Sequence, residues 1–136
     1  MIIELVKSWE NHKDELEMDI FADEEYYRNA DYSDLVKKMV KFIFNTEEMT
    51  HSYQSYVFNP KNKIDDGDYQ GTEIFFINKD TYQPLETDYI VTFIDYGSCS
   101  GCDTLLSAQN EDLNQMVKDL MTIFLHMIQK SKYLYE

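Results

Sequence analysis

Two cysteines, Cys99 and Cys102, form a C-x-x-C pair inside Asp95-Tyr96-Gly97-Ser98-Cys99-Ser100-Gly101-Cys102-Asp103, and the 136-residue chain has no others. Paired thiols at this spacing suit three roles. A thiolate stabilised by helix N-terminal amides exchanges with disulfides. Two thiolates make half of a tetrahedral zinc site, which takes about four ligands. Two small cysteines beside glycines can also simply fill a crowded corner, with Gly97 and Gly101 supplying positive-φ turn positions. His12, His51 and His126 are isolated and show no ligand spacing, so a second Cys pair from a symmetric homodimer would have to complete a zinc site. A thioredoxin-like site needs a βαβ setting, and here the strand-forming runs precede the motif as a meander. No cofactor is expected, with zinc on Cys99 and Cys102 the one option left open.

A second cluster, Asn62 to Glu73, places Gly67 at position six and Glu73 at position twelve of a calcium-type loop. Position three is Ile64, which has no ligating oxygen, and the neighbouring runs are strand-like rather than helical. Asp65, Asp66 and Asp68 therefore leave only a weak cation site open, and acidic residues around a glycine are ordinarily turn formers. Ser98 and Ser100 lack the G-x-S-x-G frame of a nucleophile elbow. No catalytic constellation is complete. The candidate binding residues are Asp65, Asp66, Asp68, Tyr69, Asp95, Tyr96, Ser98 and Asp103, with Cys99 and Cys102 as the metal or thiol candidates. Tyr89, Phe93, Phe75 or Tyr96 could alternatively line a small-molecule pocket between sheet and helices, with the acidic loop at its mouth.

These segments need elements to hold them. Ile2, Leu5, Val6, Trp9, Leu16 and Ile20 recur near the 3.6-residue period and predict an amphipathic helix over 2–20. Asp31 stands three residues before Asp34 as the N-cap of a second helix, whose stripe Leu35, Val36, Met39, Val40 and Ile43 ends near Asn45. Aromatic and β-branched runs at 52–58, 72–78 and 88–96 predict three antiparallel strands, separated by Asn59-Pro60, Asp66-Gly67 and the long connection around Pro84. Asn110 caps a third helix carrying Leu113, Met116, Val117, Leu120, Phe124, Met127 and Ile128. His126 falls between core positions of that helix and reads as structural or solvated. The expected fold is a single α+β domain over 1–136, a three-stranded antiparallel meander packed against three helices in the order ααβββα.

Composition narrows the function classes. Hydrophobic residues are 43% and aromatics 15%, enough for a folded core despite the net charge of −14. Residues 1–34 carry three basic and eleven acidic side chains, residues 65–103 one and nine, while 35–64 is mildly basic. Arg28 is the one arginine, so the bidentate contacts typical of phosphate and guanine recognition are scarce and direct nucleic-acid binding is not expected. The N-terminal segment is too polar for a signal peptide, and no run approaches the roughly 18 apolar residues of a membrane span. Two closely spaced cysteines do not make a secreted disulfide framework. A soluble, cytoplasmic protein is expected.

Asp65-Asp66-Gly67-Asp68-Tyr69-Gln70-Gly71-Thr72 and Asp95 to Leu105, joined by Asp80-Thr81-Tyr82-Gln83-Pro84, resemble a family of small uncharacterised bacteriophage and prophage proteins. The resemblance covers roughly the central third of the chain and implies a phage context without an activity to carry over. Together with the small size and the two acidic blocks, that context leads to the expectation of an accessory protein in the host-cell cytoplasm that binds a host macromolecule, such as a defence protein or a nucleic-acid-binding protein whose basic groove attracts an acidic surface. A thiol or zinc protein and a small-molecule binder are the alternatives, and acidic charge serving solubility alone is the bland one.

Overall fold

The computed structural model describes residues 1–51, 54–99 and 101–135. Its first helix, α1 (Ile2–Ala22), buries Leu5, Trp9, Leu16 and Ile20 on one stripe. Ile2 and Val6, expected on that stripe, are about half exposed, at 54% and 52%. Polar Ser8 takes an inward position instead, and its hydroxyl lies 2.5 Å from the Ile43 carbonyl and 2.7 Å from Thr46 Oγ1.

A short helix α2 (Glu24–Arg28) follows. Arg28 is spent internally: its guanidinium binds Glu24 and the carbonyls of Gln109 and Glu111. Helix α3 (Tyr32–Met39) is capped by Asp31 as the sequence predicts, and the structure adds the reciprocal bond from Asp34 that completes a capping box. It continues as a π-helical turn, Val40–Phe44, so that Ile43 and Phe44 are both fully buried. Asn45 ends the turn and grips the first strand, donating to the Tyr56 carbonyl at 2.9 Å and accepting from its N–H at 2.6 Å. A one-turn helix α4 (Glu47–Thr50) lies between them.

The strands are β1 (Tyr56–Val57), β2 (Lys63–Asp65), β3 (Gly71–Lys79), β4 (Tyr89–Tyr96) and β5 (Lys132–Tyr133), all antiparallel. β1 and β2 lie on the same edge of β3, interrupted where Asn59 accepts from Lys61 and Asn62 in a tight turn that excludes Pro60 from the ladder. Ser52 and Tyr53 of the run expected over 52–58 lie outside the described residues, and among the described ones the strand is Tyr56–Val57. β4 alternates cleanly, with Ile90, Thr92 and Ile94 buried against the helices. Thr92 donates to the Met127 carbonyl at 2.6 Å and so fastens the sheet to the last long helix.

Two further helices close the fold: α5 (Thr104–Gln109), capped by Asp103, and α6 (Leu113–Gln129), capped by Asp112 rather than by the expected Asn110. The class is α+β. Among the described residues it holds six helices and five strands, against three and three expected. The additions are short elements, of which α2, α4, β2 and β5 have at most five residues. Such pieces are too brief to show a period and form only because tertiary neighbours complete them. No helix of the described residues is long and apolar enough to cross a membrane.

Candidate functional site

The β3–β4 ladder sets the site. Its register pairs Gly71 with Tyr96 and Thr72 with Asp95, which puts the acidic loop before β3 and the cysteine turn after β4 at the same end of the sheet. Thr72 Oγ1 donates to Asp95 Oδ1 at 2.6 Å. The Tyr96 hydroxyl proton lies between two acceptors on the other loop, Asp65 Oδ1 at 2.5 Å and the Gly67 carbonyl at 2.7 Å.

That contact works on both partners. The bond to Asp65 pushes the Tyr96 hydroxyl up to about 12, and the same bond, helped by the Gly67 N–H, holds the Asp65 carboxyl below its ordinary range. Asp66 accepts from Thr72 N at 2.6 Å, closing the loop onto itself. Gly67 is required there by space, since a Cβ would stand 1.9 Å from the Gln70 carbonyl oxygen.

Asp103 anchors the other side. It is only 5% exposed. Its Oδ1 accepts from Gly97 N at 3.1 Å and from the Tyr32 hydroxyl at 2.8 Å, while its Oδ2 accepts from Leu106 N at 2.9 Å as the cap of α5. Burial first, and then the bond to Asp103, raise Tyr32 to about 12 against the opposing donors Thr104 and Leu105. Tyr32 thus joins α3 to a loop 71 residues away, a link with no local sequence signal.

Around these groups lies a pocket of about 270 Å³ whose wall includes Asp31, Tyr32, Asp65, Glu73, Tyr96 and Asp103, with Leu106 at its side. Glu73 is already paired with Lys63 at 3.1 Å. On the other side of Asp103 runs a larger cleft of about 520 Å³ lined by Asp95, Cys102, Asp119, His126 and Lys130. His126 is exposed on α6 and faces this cleft rather than the core.

Compared with protein-family models, with characterised proteins and with solved structures, the chain matches none of them. The site therefore rests on its own geometry.

Asp65, Tyr96 and Asp103 share the pocket, while Asp95 and Cys102 face the cleft. Asp68, Tyr69 and Ser98 are exposed, Tyr69 to 80%. The sulfurs of Cys99 and Cys102 are in bonding contact across a Cα separation of 5.2 Å, an ordinary disulfide span. Ser100, between them, lies outside the described residues.

Several expectations change. Among the described residues no group of three or more His, Cys, Asp or Glu side chains could hold one metal ion within one chain. Sulfur bonds to sulfur, and the Asp65 and Asp66 oxygens hold their own turn. No described glycine has positive φ: Gly97 is needed because a Cβ would lie 2.2 Å from the Cys102 carbonyl oxygen, and Gly101 faces open space. Of the aromatic pocket candidates, Phe75 and Phe93 lie on opposite faces of the sheet: pleating sends the fully buried Phe75 inward, opposite Thr92, and the 37% exposed Phe93 outward.

Tyr32, His126 and Lys130 were not among the expected site residues. Only His126 carried a usable signal, as it lies seven residues after Asp119 and four before Lys130, on one face of α6.

Proposed function

We propose that this protein is a small acidic binding protein of phage type that captures a basic host protein, with one lysine or arginine side chain of that partner entering the pocket between Asp65, Tyr96 and Asp103. The observation that carries this reading is the Tyr96–Asp65 bond, which draws the two loops into one concave surface. Asp31, Asp65 and Asp103 supply carboxylates, Tyr32 and Tyr96 supply ring surface, and Leu106, 40% exposed, packs the aliphatic stem of the guest.

A net charge of −14 steers such a partner from a distance and repels nucleic acid itself, which fits a host defence or nucleic-acid-binding protein as target in the host cytoplasm. The resemblance of the two loops to phage and prophage proteins supports the same setting.

The test is affinity capture from host lysate at low and moderate salt, with wild type beside Leu106→Arg. The variant places a cation of its own against Asp31 and Asp103, the caps of α3 and α5, so circular dichroism is read beside the capture to check that both helices persist. Specific partners should be lost with Leu106→Arg and weakened by salt. Identical captured sets for both proteins would end the reading.

A further inference from the structure

The pocket makes no use of the cysteines, yet their turn is tied to it. Cys99 and Cys102 are the only cysteines of the chain, so within one molecule each has a single partner. Both are exposed and open to small thiols. Their ring is too short for its closure to remove much chain entropy, so the bond is not what holds the fold together and can open while the chain stays folded.

Locally the ring matters more. The Cys99 carbonyl accepts from Cys102 N at 3.0 Å and from Asp103 N at 2.9 Å, and Cys99 N donates to Cys102 Sγ at 2.8 Å. Gly97 packs directly on the Cys102 carbonyl and donates to Asp103 Oδ1. Asp103, the next residue, is the buried cap of α5 and the acceptor of Tyr32. Any rearrangement of Cys102 is thus passed through one peptide bond to Asp103.

We propose that Cys99 and Cys102 form a reversible thiol–disulfide pair, and that closing it seats Asp103, and with it α5 and the wall between pocket and cleft. The oxidant is a small disulfide of the glutathione class. One cysteine thiolate attacks it, breaking its S–S bond and releasing one small thiol. The second cysteine thiolate then displaces the bound half, releasing another. Two protein thiols have lost two protons and two electrons, and the small disulfide has gained them. The inference holds whether or not the pocket binds a partner.

The experiment equilibrates the full chain in glutathione buffers of graded redox ratio, traps free thiols by alkylation, and reads the state by intact mass. Amide hydrogen exchange is followed in both states, with far-UV circular dichroism as the check on folding. We expect a transition between dithiol and internal disulfide within the glutathione range, unchanged circular dichroism, and several-fold faster exchange at Leu106 in the reduced form. The double variant Cys99→Ser/Cys102→Ser should exchange like the reduced protein. A chain that stays reduced at every ratio overturns the proposal. So does a disulfide that forms and leaves exchange at Leu106 unchanged, or a double variant that behaves like the oxidised form.

Discussion

Tyr96 and Asp65 stand 31 residues apart and meet through one hydroxyl proton, 2.5 Å from oxygen to oxygen, at the end of the sheet where β4 runs out. The same proton faces the Gly67 carbonyl at 2.7 Å, so one phenol ties β4 to a loop that Asp66 already closes onto Thr72.

Replacing Tyr96 by Phe keeps the ring and removes that proton. The fold should survive, while the amides of Gly67 to Gly71 exchange faster and affinity for a basic partner falls. Hydrogen exchange resolved by residue checks this, and protection unchanged from wild type would show that the loop does not depend on Tyr96.

Asp103 has three donors, and removing it leaves the buried Tyr32 hydroxyl without its acceptor and α5 without its cap. Asp103→Ala should cost about 2 kcal/mol or more. Asp103→Asn keeps one acceptor but turns an NH2 towards the donors of the other oxygen, so it should cost less than alanine without matching wild type. Urea midpoints at constant slope measure both, and an asparagine variant as stable as wild type would show that one acceptor suffices.

Met127 is one of the last carbonyls of α6, where chain partners run out. Thr92 Oγ1 at 2.6 Å and Ser131 Oγ at 2.8 Å satisfy it instead. Thr92→Val should cost about 1 kcal/mol, since Ser131 remains. Combining it with Ser131→Ala should cost more than the two single losses added, and strict additivity in a double-mutant cycle would refute the shared-acceptor account.

Alkaline stability follows from the tyrosines. Burial raises Tyr26, Tyr27, Tyr32 and Tyr56, and the Asp65 bond raises Tyr96, with Tyr32, Tyr56 and Tyr96 at about 12. Their ordinary value is 10.0, so the folded chain holds these protons more tightly than the unfolded one. The stability they contribute is complete below pH 10 and lost as pH rises from 10 through 12. Tyrosinate absorbance should therefore rise in two steps, the later one coinciding with unfolding. A single step near pH 10 with the fold intact would contradict it.

The long helices were legible because their periods are long. The stripe from Leu113 to Ile128, the Asp31 cap and the β-branched and aromatic run at 88–96 each show in neighbours a few residues apart. The short elements were not legible, and β2 shows why: Lys63 to Asp65 becomes a strand only because the edge of β3 is free beside it. The candidate site divides in the same way. The glycines and aspartates of both loops announced two turns, yet Tyr32 looked like an ordinary helix residue.

What the amino-acid sequence determined by itself was local: where helices begin, which residues alternate, where the chain must turn, and how acidic the surface is. What only the tertiary structure decided was which turns meet, through the pairing of Gly71 with Tyr96 and of Thr72 with Asp95. It also set which cysteine faces a cleft and which buried carboxylate receives Tyr32. The physical reason is range: propensity and periodicity act over a few residues, whereas register and hydrogen bonds across 31 or 71 residues exist only once the core has closed.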